Sequence, residues 1–278
     1  MSAGKTKGAR SVPMSRWKTV GLNLLGAAAV LFALTYLPPD NSLAEVQKSG
    51  VLRVCVPDTL PAASVADPGH PGYDIELLEL VARDLGVRLA INRNSAIGAD
   101  FNPRNWRLTR AQCQIIAGGV VRNDSTRGFL ELLPTGLQTG WAMAGTVDRM
   151  SQGGGVVSVF PGPTALDRLA LSRFLRSKNF RILSVSSVSE LGRNLIDGTS
   201  DIIVSDRQTL SALNLPEVQI EWVSEQELGV FDLSFGLWKG DATLFRAVRK
   251  STHNLVQQGV AGAIATRYNV TVDAMISP

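Results

Sequence analysis

Apolar residues occur along most of this chain in short runs that alternate with longer amphipathic stretches. From about residue 43 onward, runs such as VLRVCV (51–56), VRLAIN (87–92) and CQIIAGG (113–119) have the length and composition of strands. Between the first two, YDIELLELVARDLG has a helical apolar face and stops at Gly86. The apolar residues of that face are Ile75, Leu78, Val81 and Leu85. This alternation predicts α/β layers with parallel strands.

The second half of the chain repeats the pattern. VVSVF (156–160), FRILSV (180–185), DIIVSD (201–206) and VQIEWV (218–223) are predicted strands. Thr164, with Asp167 three residues later, and Ser187, with Glu190, have the spacing of capping boxes and predict two helix starts. A short helix is expected at 207–213. Two further helical blocks, 242–259 and 261–270, close the chain.

Two α/β groups therefore follow one another, and strand-like segments lie near both joins: TGWAMAG at 139–145 and VFDLSFGLW at 230–238. With 278 residues the chain is long enough for two lobes with cores of their own. We expect the chain to cross between the lobes twice, which makes a hinge. Lobe 1 is predicted at 43–138 plus 233–278, and lobe 2 at 139–232.

The net charge of +4 arises at the amino terminus. Residues 1–18 are a basic segment with five cations before any acid, which leaves 23 Lys and Arg against 24 Asp and Glu in the rest of the chain. A neutral body argues against a nucleic-acid surface. The five cations are Lys5, Lys7, Arg10, Arg16 and Lys18.

An uncharged apolar segment follows at residues 19–38. A helix of this length spans nearly the ~30 Å hydrocarbon core of a membrane, and its basic flank would stay in the cytoplasm. A cleaved signal peptide is the alternative, because Ser42 and Ala44 are small residues spaced as a cleavage site requires. Both interpretations export the body, so we expect a periplasmic protein, anchored in the inner membrane if the helix is retained.

Export bears on the two cysteines, Cys55 and Cys113. An even count in an oxidising compartment indicates a disulfide, provided that their strands are neighbours, and two buried free thiols are the alternative. With His70 and His253 as the only histidines, no Cys/His cluster forms, so neither a metal nor another cofactor is predicted.

The order of these segments resembles the bacterial extracellular solute-binding proteins of family 3, the polar amino-acid class. The similar segments are LAEVQKSGVLRVCV, GYDIELLELVARDLGV, GTSDIIVSD and the ending from LWKGDATLF to RYNV. The resemblance covers about residues 43–270. It implies a two-lobed α/β fold of the type 2 periplasmic-binding-protein kind with two crossover strands. It also implies capture of a small polar solute, with an ABC permease as partner.

The resemblance also implies site residues. Arg127 stands where the family binds the ligand carboxylate, and a guanidinium fork suits both oxygens. Thr164 stands where the family offers a hydroxyl at a helix start. Asp206 stands where the family receives the ligand ammonium. Each has a structural alternative: Arg127 as a solvated or Asp124-paired arginine, Thr164 as a helix cap, and Asp206 as an N-cap.

Departures from the family leave the ligand open. Asp124 replaces the usual Thr or Ser three residues before Arg127 and would repel a carboxylate. The segment DTLPAAS lacks the expected aromatic residues, and FLELLPTG replaces the usual motif after Arg127. A cationic group, a small organic acid and a protein partner are therefore all open as ligands.

Three hypotheses follow. The first is a non-enzymatic protein that closes around a small polar, amino-acid-like solute. The second is an accessory protein of a periplasmic quinoprotein dehydrogenase, which the cysteine pair resembles. The third is a dehydratase-type enzyme on the same scaffold with Asp124 or Asp206 as acid or base. Fold alone does not choose among them.

Overall fold

The computed structural model of the protein describes residues 16–34, 39–57, 71–97, 102–162, 166–213, 215, 218–268 and 270. Its contacts divide the chain into two units, Met1–Asp40 and Asn41–Pro278. In the first unit, helix α1 covers Arg16–Leu34 and contains the Ala- and Leu-rich stretch that favours a helix.

The predicted membrane anchor at 19–38 is not supported. Within the part of the chain that the structure describes, no helix is both long and apolar enough to cross a membrane. The signal-peptide alternative stays a prediction.

The second unit contains the following elements in chain order: α2 (Ser42–Ser49), β1 (Val51–Val56), α3 (Tyr73–Asp84), β2 (Arg88–Arg93), a 3-10 helix (Pro103–Trp106), β3 (Ile115–Val121), α4 (Asp124–Phe129), β4 (Leu130–Gly145), α5 (Val147–Gln152), β5 (Val156–Val159), α6 (Arg168–Ser177), β6 (Arg181–Ser184), α7 (Val188–Ile196), β7 (Ile202–Asp206), α8 (Arg207–Ala212), β8 (Gln219–Trp222), α9 (Glu225–Leu228), β9 (Val230–Trp238), α10 (Ala242–Gln257) and α11 (Val260–Arg267).

Among the described residues nine strands join in the order β2-β1-β3-β9-β4-β7-β5-β6, with β8 also paired to β4. Strand β1 is parallel to β2 and β3, and β5 is parallel to β6 and β7, as the sequence predicts. The expectation of parallel strands is wrong for β4 and β9, which are antiparallel to each other and to their neighbours.

Strands β4 and β9 are the two crossover strands. Residues 130–140 of β4 pair with β9, and residues 141–145 pair with β7 and β8. Strand β4 thus leaves one half of the sheet and enters the other near Gly140, and β9 runs back beside it. The fold is the two-lobed α/β fold expected from the sequence. The lobe boundaries at 138 and 233 stay a prediction.

Each half of the sheet has apolar layers on both faces. In the first half, α3, α10 and α11 contribute to one layer, and Cys55, Cys113 and Trp106 lie in the other. In the second half, α6 contributes to one layer and α7 and α8 to the other. Ile202 and Val204 of β7 face the first of these and Ile203 the second. Because both faces of β7 are covered, its residues 202–204 are apolar without a polar residue between them.

Helix α2 begins at the predicted cleavage site. Ser42 Oγ lies 3.0 Å from Thr243 Oγ1 and accepts a hydrogen bond from the Leu244 N–H at 3.2 Å, which joins α2 to the start of α10. Val46 of α2 is buried. A cut after Ala44 would therefore remove the first turn of this packed helix.

Candidate functional site

Helix α4 carries two predicted site residues, Asp124 and Arg127, directly after β3. Asn123 caps the helix: its Oδ1 accepts from the Thr126 N–H at 2.9 Å, and Thr126 Oγ1 accepts from the Asn123 N–H at 3.0 Å. Thr126 is buried, and its hydroxyl also donates to Val121 O at 2.6 Å. These bonds hold the six-residue helix to the end of the strand.

The Arg127 side chain is exposed, as is that of Asp124. Across the described ranges, no carboxylate lies within ion-pair distance of the Arg127 guanidinium and no hydrogen bond to it is formed. The Asp124–Arg127 pair that the sequence left open is thus not present. The guanidinium presents its planar set of N–H donors to incoming groups. Contact with a solute stays a prediction.

Asp206 ends β7 and is the N-cap of α8. Its side chain is 1% exposed. Its Oδ1 accepts from the Thr209 N–H at 3.0 Å, and its Oδ2 accepts from the Thr209 hydroxyl at 2.5 Å. Burial raises the pKa of the Asp206 carboxyl above its ordinary value, and the Thr209 hydrogen bonds offset part of that rise. The structure therefore forms the cap that was the alternative interpretation of Asp206. The predicted contact with a ligand ammonium is untested.

Thr164 lies outside the described residues. The predicted capping box nevertheless needs a correction, because α6 begins at Arg168 and its N-cap is Asp167. Asp167 Oδ1 accepts from the N–H groups of Leu169 and Ala170, both at 2.9 Å. The Asp167 carbonyl also accepts from Trp141 Nε1 on β4 at 3.2 Å, so this helix start is tied to the crossover strand.

A polar network that sequence analysis missed joins the elements at the crossover. Gln208 of α8 donates from Nε2 to Gln138 O on β4 at 2.6 Å. Gln138 Nε2 donates to Asp232 Oδ1 on β9 at 3.1 Å, and Asp232 Oδ2 lies 3.8 Å from the Arg122 guanidinium after β3. Only long-range pairing brings these four side chains together, so no local signal marks them.

One buried atom of this network has no partner among the described residues. Gln208 is 4% exposed, and its Oε1 forms no hydrogen bond within the described residues. The amide orientation is fixed, because the carbonyl of Gln138 can accept only from the Nε2 side. A buried acceptor left unpaired costs about 1–3 kcal/mol. Gln208 is therefore a candidate to receive a donor from outside the protein.

Cys55 and Cys113 form the predicted disulfide, with their Cα atoms 5.5 Å apart. Cys55 lies on β1, and Cys113 precedes β3, the parallel neighbour of β1. Trp238 Nε1 donates to Cys113 O at 2.7 Å, which fixes this segment to the end of β9. The alternative of two free thiols is wrong.

A cavity of about 450 Å³ lies away from these residues, between α5, the end of α6 and β8. Met143, Phe174 and Phe180 are among its lining residues, whereas the described site residues Asp124, Arg127 and Asp206 are not. No group of three or more His, Cys, Asp or Glu side chains in the described ranges is placed to hold a metal ion.

Several solved structures that align with this chain are amino-acid binding proteins. An ancestral cationic amino acid solute-binding protein aligns with a TM-score of 0.65 and 18% identity over 82% of this chain and 99% of its own. The same ancestral protein, in a second crystal structure, is a precursor of the enzyme cyclohexadienyl dehydratase. A substrate-binding protein of an ABC uptake transporter from Streptococcus pneumoniae, with bound histidine, aligns with a TM-score of 0.59 and 16% identity, covering 82% of this chain and 96% of its own. At identities this low, the structural alignments establish the fold alone.

No family model matches the chain. A search of curated sequences finds one relative. The relative is a membrane-bound lytic murein transglycosylase F from Cronobacter sakazakii, 26% identical over 204 residues and 68% of this chain. The chain spans 38% of the length of that relative. The predicted association with a quinoprotein dehydrogenase receives no support from these comparisons.

Proposed function

We propose that this protein is an extracytoplasmic solute-binding protein, not an enzyme, that captures a small polar solute with a carboxylate group for an ABC-type uptake system. The observation that carries the proposal is the exposed Arg127 guanidinium, which has no partner in the described residues and is held on a capped helix beside the crossover strands. The fold shared with amino-acid binding proteins supports it. The disulfide fits an oxidising compartment.

The proposed mechanism is closure of lobe 2, at 139–232, onto lobe 1, at 43–138 plus 233–278. Arg127 on α4 binds the solute carboxylate through two parallel N–H···O bonds. A polar group at the start of α8 contacts the other end of the solute. A solute that touches both lobes at once favours the closed state by the free energy of its additional contacts.

Calorimetric titration of the full chain against a panel of amino acids and small organic acids tests this function. We expect at least one panel member to bind, and Arg127→Ala to weaken it about 10-fold or more, since a charged hydrogen-bond pair contributes about 1.5–3 kcal/mol. Arg176→Ala, which removes an exposed arginine from the last turn of α6, is the matched control and should leave the affinity unchanged.

Absence of binding across the panel, or equal loss in the Arg127 and Arg176 variants, would contradict the proposal. An enzyme on this scaffold is disfavoured because Asp206 is enclosed by its cap and Asp124 is solvent-exposed, so neither has the arrangement of a general acid beside a substrate. Turnover of the bound solute during a prolonged titration, followed by mass spectrometry, would contradict the non-enzymatic assignment.

The partial match to a lytic transglycosylase favours a second candidate, an accessory module that serves a partner enzyme. In that case the chain would co-purify with an enzyme from its native compartment and retain the partner after Arg127→Ala. Solute capture instead predicts that the protein is isolated without such a partner and that binding depends on Arg127.

A further inference from the structure

The acid expected to receive a ligand ammonium is already engaged. Both oxygens of Asp206 accept hydrogen bonds from Thr209, and the side chain is 1% exposed. A solute ammonium could reach this carboxylate only by displacing the cap of α8, at a cost of about 1 kcal/mol. Burial also raises the pKa of this carboxyl, which lowers its negative charge as an ammonium partner.

The neighbouring acceptor is free in the described part of the chain. Gln208 lies two residues after Asp206, and its Oε1 is buried without a hydrogen-bond partner. Its Nε2 is bound to the carbonyl of Gln138, in the segment where β4 passes from one half of the sheet to the other. The unsatisfied acceptor therefore lies where the proposed closure brings the lobes together.

The acid closest to this amide within the network is Asp232 of β9. Its carboxylate accepts from Gln138 Nε2 and lies 3.8 Å from the Arg122 guanidinium. Its charge is thus shared with a cation already present. The described groups at this end of the site consequently offer a neutral acceptor and a compensated carboxylate.

We propose that the solute is a small 2-hydroxy carboxylate, whose carboxylate binds Arg127 and whose hydroxyl donates to Gln208 Oε1. This inference rests on the proposed solute-binding function and specifies its substrate class. A hydroxyl satisfies the orphan acceptor without introducing a charge. An ammonium at the same position would be desolvated against a neutral amide, which is costly without a free anionic partner.

Matched pairs of probes test the proposal, because they differ mainly in the group at carbon 2. Wild-type protein is titrated calorimetrically with L-lactate against L-alanine, L-malate against L-aspartate, and 2-hydroxyglutarate against L-glutamate. We expect the hydroxy acid of at least one pair to bind at least 10-fold more tightly than its amino acid, because a site built around a neutral acceptor disfavours the charged analogue.

Three variants assign the effect to residues. Gln208→Leu should weaken binding of the hydroxy acid about 10-fold. Gln208→Glu supplies a negative charge at the same position and should shift the preference toward the amino acid. Asp206→Asn keeps an N-cap acceptor for α8 and should leave the preference for the hydroxy acid in place. Circular dichroism and the melting temperature establish that each variant is folded.

The outcomes separate this inference from the function on which it rests. If amino acids bind more tightly than their hydroxy counterparts and Asp206→Asn abolishes that binding in a folded protein, the substrate class is wrong and solute binding stands. If the preference is unchanged in both folded Gln208 variants, the role of Gln208 is wrong. If no member of either series binds, the proposed function fails and this inference fails with it.

Discussion

Asp206 gives the pH dependence of stability a definite sign. Burial raises its pKa in the folded protein above the unfolded value, so folding is favoured when the carboxyl is protonated. This contribution is fully present below the unfolded pKa of about 4 and is lost as pH rises through the folded value.

We therefore expect Asp206→Asn, which cannot ionise, to gain stability relative to the wild type as pH rises from about 4 toward neutrality. Urea unfolding of both proteins at several pH values measures this difference. Asp201→Asn is the matched control, since it removes a partly exposed acid that directly precedes the same strand, β7. A wild-type advantage that grows with pH would contradict the assignment.

Sequence could predict the site residues whose position follows from the local pattern of the chain, but not those whose contacts are with distant segments. The run DIIVSD placed Asp206 at a strand end correctly, but an acid before Arg-Gln-Thr suits both a ligand contact and an N-cap. Gln208 has no signal of its own, because its partner, Gln138, is 70 residues away in the chain. Its role depends on strand pairing that the local pattern does not contain.

At the scale of elements, the disulfide links β1 to the segment before β3. The two cysteines are separated by 58 positions and both are fully buried in an apolar layer. A closed loop of this length should contribute about 4 kcal/mol to the free energy of unfolding in the chain-entropy model.

Replacing both cysteines, in Cys55→Ala/Cys113→Ala, should lower the free energy of unfolding by about that amount, measured by urea denaturation. A reducing agent should lower the stability of the wild type and leave that of the double variant unaltered. Equal responses of the two proteins to the reductant would contradict a stabilising bridge.

Most elements could be predicted from periodicity, and the largest miss has a physical reason. The segment LELLPTGLQ contains Pro134 and Gly136, which argue against a central strand. The structure accommodates both in β4, because the register with β9 shifts between Pro134 and Gln138. Such an irregularity depends on the partner strand and has no local pattern of its own.

At the scale of the whole molecule, β4 pairs with β9 in the first half of the sheet and with β7 and β8 in the second. Val54 and Val204 are fully buried in different apolar layers, one in each half. Because the continuous strand β4 belongs to both halves, we expect the halves to unfold together. The order and direction of the strands could not be predicted from the sequence, because side chains alternate with a period of two in both parallel and antiparallel strands.

Differential scanning calorimetry checks this expectation. A single transition is expected for the wild type. Val54→Ala and Val204→Ala should each lower the temperature of that transition, because each lowers the free energy of unfolding by about 2 kcal/mol. Two resolved transitions, each shifted by only one of the substitutions, would show that the halves unfold independently.

The position of β9 between β3 and β4 has a consequence for the order in which the chain assembles. During synthesis from the amino terminus, β3 emerges early but keeps an open edge until residues 230–238 follow. Strands β5, β6 and β7 meet their mutual partners sooner. The half of the sheet that contains β1, β2 and β3 therefore leaves the ribosome first but is completed last. A nascent chain arrested before β9 would expose the open edge of β3 to chaperones or to other chains.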